Sequence, residues 1–143
     1  MRVRPISLLV PLLFMAVACG ELKSPTDPGT GPEPIDPTAT FTRVQNEVFT
    51  PSCALIGCHD TIGQQQSLVL TAGRAYANTV DVNSTEMPQL RRVQPNDPTN
   101  SYLYRKITGA GITGERMPLQ LPPLPDDKIR LVRDWIRRGA PND

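Results

Sequence analysis

A chain of 143 residues with 15 Lys or Arg against 14 Asp or Glu carries a formal net charge of +1, which gives no electrostatic footprint for nucleic acid. The length suits one domain with a single core, and no internal repeat divides it. Sixteen prolines and ten glycines imply much loop, and with 38% hydrophobic and 5% aromatic residues the core is thin unless an apolar group is supplied from outside.

At the N-terminus, Arg2 and Arg4 precede an apolar run from Ile6 to Val17, shorter than the ~20 residues that cross a bilayer. Residues 1–18 therefore read as a signal peptide and are excluded from the fold. The stretch Ala16-Val17-Ala18-Cys19-Gly20 looks like a bacterial lipobox, in which Cys19 takes lipid and becomes the new N-terminus. That reading anchors the protein to the membrane through its N-terminal lipid, on the bacterial cell envelope, facing the periplasm or in the outer membrane. Residues 19–40 are the lipidated terminus and a linker of Pro, Gly, Thr, Ser and acid. Such a segment buries too little surface to order itself, and its prolines keep it extended as a tether.

Residues 41–143 form the expected domain, mostly α, with about four short helices and long loops. Thr42 with Gln45 fits a capping box, and Phe41, Val44, Val48 and Phe49 fall on one helical face, with Pro51 as the stop. Thr71 caps a short helix whose face carries Ala72, Tyr76 and Val80. Residues 81–99 are loop, punctuated by Pro88, Pro95 and Pro98. Asn100 is the expected N-cap of a helix over Ser101 to Thr108, with Leu103 and Ile107 inward and Gly109 past its end. Gly109-Ala110-Gly111-Ile112-Thr113-Gly114 matches G-x-G-x-x-G, but a helix precedes it where the dinucleotide fingerprint needs a strand, so it reads as a flexible loop. In the last helix, Pro125 sits in the first turn. Asp126 and Asp127 suit its positive end, and Arg133, Arg137 and Arg138 its negative end. Ile129, Val132 and Ile136 give it an apolar face with Leu131 and Trp135 beside it, and Gly139 ends it.

The chemistry concentrates in Cys53-Ala54-Leu55-Ile56-Gly57-Cys58-His59, which holds the one histidine and two of the three cysteines. Two thiols followed directly by an imidazole are the elements of c-type haem attachment, whose common spacing is C-x-x-C-H. Here four residues separate the cysteines, so the chain must bulge for both sulfurs to reach one porphyrin edge, and Gly57 is placed to allow it. A short-loop disulfide between Cys53 and Cys58 is the alternative, in a haem-free cell-surface module. With one histidine, two-histidine ligation within the chain is excluded. Outside the signal peptide, Met87 and Met117 are the available thioethers. Donors for buried haem propionates include Arg91, Arg92, Arg116, Tyr102 and Trp135.

Phe49-Thr50-Pro51-Ser52-Cys53 through Cys58-His59-Asp60, with Arg116-Met117-Pro118 and Asp134-Trp135-Ile136-Arg137-Arg138-Gly139-Ala140, resembles bacterial monohaem cytochrome c-like domains. Four-residue spacing between the haem cysteines also occurs in multihaem cytochromes of the c3 type. The resemblance implies a cytochrome c-like fold around one covalent haem c, held by Cys53 and Cys58, with His59 and Met117 as axial ligands. It implies that the final helix crosses the N-terminal one. The function it implies is one-electron transfer to a redox partner protein, in a carrier that is not an enzyme and takes no small-molecule substrate. A five-coordinate haem that senses gas or acts on peroxide is the further alternative.

Overall fold

The computed structural model describes residues 33–143; the expected signal peptide, Cys19 and most of the expected linker lie outside the described residues. Phe41–Val44 is α-helical, Gln45–Phe49 widens into a π-helix, and Thr50–Ser52 returns to α-helix. The three run on without a break and are here called α1. Thr50 N–H bonds back five residues to Gln45 O, whereas Cys53 N–H bonds back four to Phe49 O at 2.9 Å. The helix ends at Ser52, one residue past Pro51 and just before Cys53 as expected, after the register has changed from π back to α. The cap differs from the expected Thr42–Gln45 box: Thr40 Oγ1 accepts from Arg43 N at 3.2 Å. Gln45 is drawn inside instead, where its Nε2 donates to Thr50 Oγ1 and to Leu70 O, each at 3.0 Å.

After His59 a 3-10 turn, Gln65–Ser67, leads to Leu68, Val69 and Leu70 and then to α2, Ala75–Thr79. This helix is shorter than expected, since Gly73 at φ +78° turns the chain first. The segment read as pure loop carries isolated bridges, Val80 with Val93, Asn83 with Arg91 and Arg91 with Ser101. Their purpose is local: the carbonyls of Arg91 and Arg92 accept from Tyr102 N and Leu103 N, both at 2.9 Å. They satisfy amides at the start of α3, Tyr102–Thr108. Ser101 is its N-cap, and Asn100 bonds to Asp97 instead. Gly109 closes α3 at φ +82°. The last helix, α4, spans Asp126–Arg137 and buries Leu131, Val132, Trp135 and Ile136. Among the described residues no helix is long and apolar enough to cross a membrane.

The core lies between α1 and α4. Phe41 sits 5.5 Å from Trp135, 5.2 Å from Tyr76 and 6.3 Å from Phe49, ring centre to ring centre. Val44, Val48, Val93, Leu103 and Ile107 complete it with the α4 face. On the rim, Lys128 reaches Glu47 Oε2 at 2.9 Å and Arg43 reaches Oε1 at 2.8 Å. Arg43 and then Lys128 lower the Glu47 carboxyl from 4.5 to about 2.

The compact unit starts at Pro34 and not at Phe41. The end of the expected linker is part of the body because Ala39 is fully buried. Asp36 N donates to the buried Asp134 at 3.1 Å, and Arg138 donates to Ala39 O at 2.6 Å. Asp134, on the polar edge of the expected α4 face, is thus an internal acceptor.

Two outcomes follow. A chain beginning at Phe41 is less stable in urea than one beginning at Pro34 by about 2 kcal/mol, from lost apolar burial and unpaired polar groups. The stabilising part of Glu47 is complete above pH 4.5 and is lost as pH falls toward 2, because its folded pKa lies below its unfolded one. In Glu47→Gln that portion of the acid slope, read from urea melts across the same window, is missing.

Candidate functional site

The chain from Cys53 to His59 closes on itself as a loop hung from the end of α1. Cys58 N donates to Leu55 O at 2.9 Å and His59 N to Cys53 O at 3.2 Å. Gly57 stands at φ +81°, a left-handed conformation open to glycine without penalty. The turn that follows comes very close: a Cβ on Gly63 would clash with the Gly57 carbonyl carbon and lie 2.7 Å from Cys58 O. Asp60, buried, holds that approach by accepting from Gly63 N at 2.6 Å.

His59 is half-buried with Nδ1 3.3 Å from Leu68 O. A carbonyl only accepts, so the ring proton belongs on Nδ1 and Nε2 keeps its lone pair. Burial pushes the imidazole pKa down, opposed by the Leu68 and Gln65 carbonyls, which favours the neutral ring that a metal ligand needs. Burial, with the neighbouring Cys58, pushes the Cys53 thiol up to about 12. Cys53 therefore stays protonated at neutral pH and is not an activated thiolate nucleophile. The two thiols are not bonded to each other.

Cys53, Cys58 and His59 line a cavity of about 490 Å³, within the range of roughly 300–1,000 Å³ typical of small-molecule and cofactor sites. Val48, Phe49, Leu68, Leu70, Leu103 and Ile107 give it apolar walls continuous with the core. Leu55, Leu119 and Leu121 line it and are also exposed, so its mouth is apolar.

Met117 lines the same cavity. Its place follows from the end of α3, whose last carbonyls lack partners within the helix: Met117 N donates to Lys106 O at 2.8 Å and Arg116 Nε to Ile107 O at 2.9 Å. Met87 is not among the lining residues; its sulfur faces Thr113 Oγ1 at 3.5 Å and Gln89 Nε2 at 3.6 Å.

Of the expected polar donors, Arg92 and Tyr102 line the cavity. Arg91 pairs with Asp81 at the surface, Arg116 serves the end of α3, and Trp135 is buried in the core with Nε1 on Pro141 O at 2.9 Å. Arg92 is 8% exposed, and its guanidinium meets carbonyls alone: Asn78 O and Gln66 O at 2.9 Å and Ser67 O at 3.2 Å. Burial lowers its pKa. Sequence reasoning missed a second charged feature, Lys106 paired with Glu86 at 3.1 Å, both on the cavity wall. Its signal was present, since Lys106 stands between Leu103 and Ile107 at spacings that share one helical face.

The glycine-rich run after α3 follows a helix and no strand, so the nucleotide fingerprint is not formed. Among the described residues, no three of His, Cys, Asp and Glu gather as a metal cluster. Comparisons with protein-family models, curated proteins and solved structures return no match.

Adding a methyl group at Gly63 forces the 57–58 backbone away from the turn that carries it. Gly63→Ala is therefore destabilised by about 2 kcal/mol, while Gly73→Ala, with open space at its Cβ, pays only for its positive φ, about 1 kcal/mol. Chemical denaturation of the two variants measures the difference.

Proposed function

We propose that this cavity holds one covalently attached haem c, and that the protein is a one-electron carrier on the bacterial cell envelope, tethered by lipid at Cys19. The observation that carries the reading is the meeting of the Cys53–His59 stretch with Met117, which lies far along the chain. Cys53, Cys58, His59 and Met117 all line one apolar-walled space. The residues fit the group in three respects. Two thiols flank a bulge that Gly57 permits, the His59 ring keeps Nε2 free by spending its proton on a backbone carbonyl, and a thioether is available on a separate loop.

Each chain residue then has a task. Cys53 and Cys58 would hold the haem covalently, each through a thioether formed without net oxidation. Cys53, held as the neutral thiol, does not react as a free thiolate, in keeping with attachment by dedicated machinery. His59 Nε2 and Met117 Sδ would hold the iron between them, which favours electron carriage over substrate chemistry. Haem bound there supplies a ferric–ferrous couple whose potential a methionine ligand raises relative to two histidines. Leu55, Leu119 and Leu121 offer apolar surface at the mouth, where a redox partner protein would approach the edge of the group.

Co-production with c-type maturation machinery, followed by a pyridine haemochrome spectrum and intact mass, tests the reading. The expected product carries one covalent haem. A colourless product with Cys53 and Cys58 oxidised to each other overturns it in favour of a disulfide-stapled module. Met117→Ala is expected to lose the weak ferric band of a methionine–iron bond while Met87→Ala keeps it. A wild-type protein that binds haem and lacks that band points to the five-coordinate alternative.

A further inference from the structure

The polar stretch behind His59 adopts a conformation its residues disfavour. Gln64, Gln66 and Ser67 take φ of 41°, 57° and 54°, a left-handed run of residues with side chains that persists only where its surroundings hold it. The hold comes mainly from one side chain. Arg92 Nη2 donates to Gln66 O at 2.9 Å and to Ser67 O at 3.2 Å, while Nη1 donates to Asn78 O at 2.9 Å. Thr85 Oγ1 adds a second bond to Gln66 O, also 2.9 Å. The next carbonyl along the chain is Leu68 O, the one that meets His59 Nδ1.

Arg92 is itself fixed at both ends. Its amide donates to Val82 O at 2.7 Å, its carbonyl accepts from Leu103 N at the start of α3, and its side chain is buried. No carboxylate among the described residues pairs with it, so its guanidinium is committed to backbone oxygens. A planar fork that spans neighbouring carbonyls is a property of arginine that lysine lacks.

We infer that Arg92 is the positioning residue for His59: by clamping the Gln66 and Ser67 carbonyls it sets Leu68 O against Nδ1, keeps the ring proton there and leaves Nε2 turned to its ligand. The inference rests on the haem reading only for what Nε2 binds.

His59 is the one histidine in the chain, so its ring is readable without assignment by NMR of the full-length ¹⁵N-labelled protein, taken in the ferrous form where haem is attached. In the wild type the Nδ1 proton is expected to exchange slowly with water. In Arg92→Gln its exchange accelerates about tenfold, the order of one lost hydrogen bond. Arg92→Lys, with charge but no fork, behaves as Arg92→Gln does, and Thr85→Val shifts exchange in the same direction by a smaller factor. A folded Arg92→Gln protein whose Nδ1 proton stays as protected as in the wild type overturns the inference, as does full protection in Arg92→Lys. If Arg92→Gln fails to fold, an unchanged proton in Thr85→Val overturns it. A haem-free product in the pyridine haemochrome spectrum refutes the cofactor reading alone, since the exchange of the Nδ1 proton is still measured.

Discussion

The double engagement of His59 with the segment 68–70 is the constraint around which the rest is arranged. Its carbonyl accepts from Leu70 N at 2.7 Å and its ring meets Leu68 O. Leu70 O is in turn taken by the buried Gln45 of α1. One residue is thereby tied, by main chain and side chain, to a segment that the first helix also grips. The loop bearing the two cysteines has little freedom left once these bonds are made. A neutral imidazole in a half-buried place costs little to desolvate, whereas a charged one would be expensive there.

A thin core and a large cavity are two sides of one arrangement. Val48, Phe49, Leu103 and Ile107 belong to the packed interior and to the cavity wall at once, so the apolar centre ends on a space instead of on another layer of side chains. The composition foreshadowed this shortage. Charge is handled differently on each wall: Lys106 is neutralised by Glu86, while Arg92 spends its donors on carbonyls. The short helix α3 organises much of the site, since its first amides are met by the Arg91 and Arg92 carbonyls and its last carbonyls by the segment carrying Met117.

What the chain disclosed on reading, and what it withheld, follows from the range of the forces involved. The apolar faces of α1 and α4 and the glycine closing α3 are local signals, and each lies close to where periodicity and capping rules put it. The bulge at Gly57 was equally local. The true cap at Thr40 was hidden because Thr42, two residues on, satisfies the same pattern, and only the pull of Asp143 on Thr42 separates them, with Thr42 Oγ1 donating to Asp143 O at 2.8 Å. The end of α1 just before Cys53 was legible from Pro51, whereas the π-helical register leading up to it was not. The roles of Asp134, Arg92 and Glu86 depend on partners 98, 26 and 20 residues away, and no pattern in a single sequence encodes such meetings.

The N-terminal arm is fastened to the end of the chain. Phe41 N and Thr42 N donate to Asp143, Arg138 to Ala39, and Asp36 N to Asp134, and none of these residues lines the cavity. A pull on the chain at Pro34 therefore meets this clasp before it reaches Val48, where the chain first touches the cavity wall.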